Sequence, residues 1–168
     1  LSTPMKLSSG ISLLVFALIY FSGCTSETVK TSEKRIVEAD ISSTEMEVVL
    51  DSLVDSFSMA IVENDSVAAS GLLSDSAFIL EGGKIESKTQ YLSHHFHSDS
   101  RFLASMERTL LERKYGYTPQ AAWVASISSL KGVRNDEPIN IRSSELLVMM
   151  LYESTWKISA IDWSSSSF

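Results

Sequence analysis

The sequence predicts an α+β fold in which helices come first and pack on one face of an antiparallel sheet. Three observations predict it. A one-sided apolar stripe runs from Met46 to Ile61 behind a helix-start signal. From about Ser105 onward the chain turns β-rich. It closes on Glu145–Ser165, ELLVMMLYESTWKISAIDWSS, two apolar runs joined by a short polar turn.

The 168 residues suit one domain plus an appendage, and a net charge of −7 with no basic stripe argues against nucleic acid as a partner. Met5 and Lys6 give a short positive start, and Leu1–Pro4 ahead of them read as a misassigned beginning. Ile11–Phe21 is then an apolar run of 11 residues. A membrane-spanning helix needs about 20, whereas a signal-peptide core has about this length. Ser22 and Gly23 immediately before Cys24 resemble the lipobox of bacterial lipoproteins. That resemblance implies cleavage after residue 23, diacylglycerol on Cys24 and a membrane as partner. Thr25 in place of Asp implies the outer membrane, facing the periplasm. The alternative is an ordinary secretory signal with an incidental cysteine. Cys24 is the single cysteine, so lipidation leaves no thiol for a disulfide, a metal or catalysis. Residues 24–43, rich in Ser, Thr, Glu and Lys, read as a tether, and residues 44–168 as the domain.

Within the domain, Thr44 and Glu47 form a T-x-x-E capping box. Behind it Met46, Val49, Leu50, Leu53, Val54, Phe57, Ala60 and Ile61 make one stripe, with Asp51 and Asp55 opposite. Asn64–Ser66 breaks the helix, and Asp65 or Ser66 caps a short second one over Val67–Leu73. Ala77–Leu80 predicts a strand, Gly82-Gly83 a turn and Lys84–Glu86 a brief return. Ser87 with Gln90 opens a third helix to about His95. After Asp99 the pattern becomes extended, with a strand over Ser105–Tyr117, although Arg101–Met106 could prolong a helix. Thr118-Pro119 turns the chain, Ala121–Leu130 is a strand and Lys131–Pro138 a charged turn. Ile141–Tyr152 and Trp156–Trp163 complete the set.

Three stretches together resemble the nuclear transport factor 2-like superfamily, which includes ketosteroid isomerase and the SnoaL-like cyclases. VVLDSLVDSFSMAIVENDSVAASGLLSDSAFIL is similar to its long helix, short helix and first strand, and GGKIESKTQYLSHHF to its hairpin and third helix. ELLVMMLYESTWKISAIDWSS is similar to its last two strands, which typically end in W-K/R-I and then H-W-S. The resemblance covers about Thr44–Ser165. It implies a cone-shaped, cystatin-like architecture with a curved sheet around a cavity, often dimeric through the sheet. It transfers function weakly, because this fold hosts enzymes, binding modules and docking domains. The chain departs from the pattern at Asp162, which stands where histidine is usual.

Several residues could carry chemistry. His94, His95 and His97 cluster just before Asp99 and could ligate zinc or copper, although the spacing matches no standard zinc motif. Histidines near a helix end also favour its negative dipole without any ligand. Trp156, Ile158, Ala160 and Asp162 share one face of a regular strand. If that face is inward, burial raises the Asp162 pKa and suits general-base work, with His94 or His97 as partner. Otherwise Asp162 sits at the strand end, hydrated or paired with Arg142 or a histidine. Tyr91, Trp123 and Trp156 are candidate ligand contacts, and Glu145 reads as a solvated or edge charge.

The first functional reading is therefore an envelope protein whose cavity binds a small apolar ligand, or a protein partner, without a cofactor. An isomerase, dehydratase or hydrolase using Asp162 is the second, and a metal binder through His94, His95, His97 and Asp99 the third.

Overall fold

The computed structural model describes residues 42–134 and 136–167. The expected signal-peptide segment, Cys24 and residues 25–41 of the expected tether lie outside the described residues, whereas Ser42 and Ser43, expected in the tether, cap and open the first helix. The element order is α1 (Ser43–Val62), α2 (Ser66–Leu72), β1 (Leu73–Glu81), β2 (Lys84–Ser87), α3 (Lys88–Ser93), α4 (Phe96–Ala104), β3 (Met106–Tyr117), β4 (Ala121–Arg134), β5 (Glu137–Tyr152) and β6 (Thr155–Ser167).

Helix α1 starts two residues earlier than its T-x-x-E signal. Ser42, extended at φ −59° and ψ 153°, is the cap. Its Oγ accepts from the Glu45 amide at 3.3 Å, while Glu45 accepts from the Ser42 amide at 3.0 Å. Thr44 and Glu47 have the same spacing, but they follow a residue that can already close the box and so fall inside the helix. Met46, Leu50, Leu53, Val54, Phe57, Ala60 and Ile61 are buried as the stripe requires, whereas Val49 lies at its edge, 42% exposed. The opposite flank is tied to the sheet. Asp51 Oδ1 accepts from Arg113 Nη1 at 2.6 Å and from Tyr115 Oη at 2.7 Å, and Asp55 from Arg113 at 3.3 Å.

Asp65 caps α2 through its carboxylate, which accepts from the amides of Val67 and Ala68. Gly82 and Gly83 turn β1 into β2 at φ 57° and 78°, values glycine adopts without a Cβ penalty. The Ser87–Gln90 box opens α3 as expected. The extended pattern expected after Asp99 does not begin there. Phe96 and Ser100, four apart, are both buried, and that one-sided packing holds α4 together through Ala104. The expected turn over Lys131–Pro138 is also shorter, because β4 and β5 stay paired out to Arg134 and Glu137.

The six strands form one open sheet in the order β2-β1-β6-β5-β4-β3. Its ladders are antiparallel except between β1 and β6, which run parallel because the α3–α4 excursion and the long meander return the chain beside β1. The helices cover one face, and the core lies between them and Ala122, Val124, Leu147, Met149, Ile158 and Ile161.

One irregularity decides the chemistry of that face. Val148 pairs with Ala160 but Met149 pairs with Ile158, so Ser159 is an extra residue bulged out of β6. Ile158 and Ile161, three apart, are both buried, which regular alternation forbids. Beyond the bulge the inward set is Ile161 and Trp163.

Candidate functional site

A cavity of about 830 Å³ opens between the helices and the inner face of the sheet, toward the β1–β2 hairpin. Ile61, Phe102, Leu103, Leu130 and Ile141 supply its apolar wall. Three of its lining residues share one cross-strand row, where Glu81 pairs with Trp163 and Trp163 with Glu145.

Trp163 is the hinge of the site. Its indole stacks against Phe57 of α1, with centroids 6.4 Å apart and planes at 15°, and tilts against Tyr91 of α3 at 5.7 Å. Its Nε1–H donates to Glu145 Oε2 at 2.9 Å. The Glu145 side chain is only 12% exposed, so it is an interior acid and not the edge charge its place in the sequence implies. Arg108 Nη2 stands 3.6 Å from Glu145 Oε1, an ion pair beyond hydrogen-bond range, and Oε1 is buried without a hydrogen-bond donor. The rest of the guanidinium is committed elsewhere, with Nε on Ser128 at 3.2 Å and Nη1 on Ser58 at 2.9 Å.

Beside Trp163, Tyr91 is fully buried, edge-on to Phe96. Its hydroxyl and Asp99 Oδ2 are both buried without a hydrogen bond among the described residues. Burial pushes the Tyr91 hydroxyl far above its ordinary range, and the charges of Asp99, Glu81 and Glu145 add to the rise. Burial likewise raises Asp99, partly offset by the nearby Tyr91 hydroxyl and by His95. Glu81 is raised by desolvation of its carboxyl and then by the charge on Asp99. The residue as a whole is exposed at the cavity mouth. These are acids that keep a proton longer than usual, grouped beside the cavity.

The residues singled out from sequence fare differently. Tyr91 does not line the cavity; it is fully buried against Trp163 and Phe96. Trp156 is half-buried, packed against the core. Trp123 is 41% exposed on the outer face, opposite Gly116 and Val148, and does not reach the cavity. Asp162 borders the cavity beside the hairpin but is exposed, because the Ser159 bulge turns its neighbours Ile161 and Trp163 inward in its place. The histidines are exposed and point to separate partners. His94 Nδ1 donates to the Gln90 carbonyl at 3.1 Å, His95 Nδ1 to Glu86 at 2.7 Å and His97 Nδ1 to Asn64 Oδ1 at 2.7 Å. Neither the Asp162–histidine pair nor the four-residue metal set is assembled, and no metal-holding group of three such ligands occurs among the described residues. Of the residues lining the cavity, Glu81, Arg108 and Trp163 are not singled out from sequence, Glu145 reads there as a solvated or edge charge, and Asp99 is named only as a metal ligand. Strand pairing brings Glu81, Trp163 and Glu145 together, and α4 adds Asp99.

No family model and no curated protein matches the chain by sequence. Solved structures do. A candidate ketosteroid isomerase from Shewanella frigidimarina is 30% identical with a TM-score of 0.64, over 67% of this chain and 92% of that one. A CaMKII hub from S. rosetta is 19% identical with a TM-score of 0.60, over 71% of this chain and 95% of that one. A Pseudomonas putida protein of unknown function is 13% identical with a TM-score of 0.58, over 73% and 87%. The last two show the fold alone.

Proposed function

Because the chain belongs to the nuclear transport factor 2-like superfamily, whose fold frames a cavity here, we propose that this domain binds a small, largely apolar ligand, held at the bacterial envelope by lipid on Cys24. The observation that carries the reading is the cavity itself. Its volume of about 830 Å³ and its apolar wall with a few convergent polar groups are those of a small-molecule site. Native mass spectra of residues 26–168, recorded before and after organic extraction, test it. A co-purified small molecule supports the reading; a bare mass, together with no uptake of any apolar probe, sinks it. Anchoring is tested separately by feeding cells an alkyne-labelled fatty acid. Label should appear on the chain and vanish with Cys24→Ala.

A second reading, proton transfer beside a carbonyl as in an isomerase, is favoured by the 30% identity to a candidate ketosteroid isomerase and by the buried Tyr91–Asp99 pair. Tyr91 and protonated Asp99 would donate to a developing oxyanion, with Glu81 as the base at the mouth. Turnover of an enone substrate that disappears in Asp99→Ala but persists in Asp162→Asn would support it.

The hub-like relatives favour self-association. Phe78, Trp123, Leu146 and Met150 leave the outer sheet face exposed and apolar enough for a second copy. Sedimentation of the chain against its Trp123→Glu variant tests this, and a monomer at every concentration rejects it.

A further inference from the structure

We propose that the free edge of the sheet, strand β3, pairs antiparallel with β3 of a second copy, so that two sheets run on as one. This surface is distinct from the outer face named above for self-association. The two edges of the sheet are unlike. β2 is four residues long, whereas β3 runs over 12, Met106–Tyr117, with no strand beyond it among the described residues. Its free side presents a row of backbone amides and carbonyls, a template for another strand. Short length and proline, two common protections of such an edge, are both absent from it. Its middle is apolar instead, with Leu110 and Leu111 47% and 49% exposed.

The bulge in β3 specifies how a second copy fits. Leu110 pairs with Ser128 and Glu112 with Ile127, so Leu111 is an extra residue. Arg108 donates to Ser58 and Arg113 to Asp51, both on α1, so both arginines face inward. Residues five apart face opposite ways in a regular strand, and the extra residue brings these two to one face. By the same count Glu107 and Lys114 share the outer face. An antiparallel partner continues the sheet only if its inward residues lie opposite inward ones. A two-fold axis between Leu110 and Leu111 meets that condition along the strand, because both copies are bulged at the same place. It sets Leu110 opposite the partner copy's Leu111, Thr109 opposite its Glu112 and Glu107 opposite its Lys114. Glu107 is exposed and forms no ion pair among the described residues, while Lys114 meets Glu112 of its own strand at 2.9 Å. Two opposite-charge pairs thus flank an apolar centre of four leucines. Arg108 falls opposite the partner copy's Arg113, but each is already matched, Arg108 by Glu145 and Arg113 by Asp51 and Asp55.

The test is sedimentation of the whole chain carrying Cys24→Ser, to keep it free of lipid and thiol, and Trp123→Glu, to disable the outer face. A dimer should persist. Glu107→Lys or Lys114→Glu alone should weaken it about ten-fold, and the two together should restore it. Thr109→Cys copies mixed with Glu112→Cys copies should form a disulfide under oxidation, well above either variant alone, since opposite residues of an antiparallel pair lie within disulfide reach. A monomer at every concentration, single reversals without effect, or cross-linking no better in the mixture than in either variant overturns the proposal. Slow amide exchange along Met106–Tyr117 in a monomer would mean that another segment covers the edge, and overturns it too.

Discussion

The two faces of the β4–β6 sheet are made from alternating residues of the same strands, yet they obey opposite rules. On the inner face Val124, Leu147, Met149, Ile158 and Ile161 are fully or almost fully buried, and polar groups there are buried even where they find no partner. On the outer face Trp123, Leu146 and Met150 are 41%, 38% and 37% exposed. The inner face thus holds acids in an apolar setting, and the outer face holds apolar side chains in water. Each is a departure from simple segregation, and each marks a surface with work beyond holding the fold. The two sets are kept apart by one residue of register, and Ser159 sets it.

Removing Ser159 should therefore have the largest effect. A strand without the bulge either carries Ile158 out of the core or carries Ile161 and Trp163 out of it, because a one-residue slip moves a whole set to the other face. We expect more than about 4 kcal/mol of lost stability or no cooperative transition at all in urea, beyond the range of ordinary substitutions. A deletion that unfolds like the parent chain would mean that the bulge does not set the faces.

Leu147 and Leu146 sharpen the contrast at adjacent positions. Leu147→Ala should cost about 2–5 kcal/mol by denaturant unfolding, from lost burial plus the cavity left behind. Leu146→Ala should cost about 0.5 kcal/mol. Similar values would say that the outer face is already covered, as a dimer would cover it.

The acids around the cavity should appear in the pH dependence of stability. Burial raises the folded-state pKa of Asp99 and of Glu81. The folded chain then holds these protons longer than the unfolded one, whose values lie near the ordinary ones of about 3.9 and 4.3. Their contribution is therefore greatest below those values and is lost as pH rises through the folded-state pKa. Asp99→Asn should flatten that fall, so the variant gains on the parent chain between acid and neutral pH. A parallel pair of stability curves would contradict it. Smallest is Gly116→Ala. A Cβ there would lie 2.3 Å from Nε1 of the Trp123 indole, which covers the glycine from the neighbouring strand. The ring is exposed enough to swing into water, so the loss should be about 0.2 kcal/mol, the low end of the worth of a cross-strand pair. A red-shifted tryptophan emission should accompany it.

Much of this was legible in the chain before any folding. Periodicity alone identified the α1 stripe, because a 3.6-residue repeat of apolar groups has one sensible solution, burial on a flat surface. Local side-chain chemistry marked the Ser87–Gln90 cap, the Asp65 cap and the Gly82-Gly83 turn, since each depends on atoms within three residues. Where two local signals competed, as Ser42–Glu45 against Thr44–Glu47, the pattern could not choose between them. The helical course of α4 was hidden too, because it rests on Phe96 and Ser100 finding the core.

The site was decided by tertiary structure. Glu81, Glu145 and Trp163 are far apart in sequence and adjacent only through the parallel β1–β6 and antiparallel β5–β6 ladders. Tyr91 and Asp99 meet across the break between α3 and α4. Strict alternation turned Asp162 toward the core, and a single bulged serine reversed it. Strand periodicity carries the face of every residue only while the count is unbroken. A bulge is a bargain among neighbouring strands, settled by which register buries Ile158, Ile161 and Trp163 together.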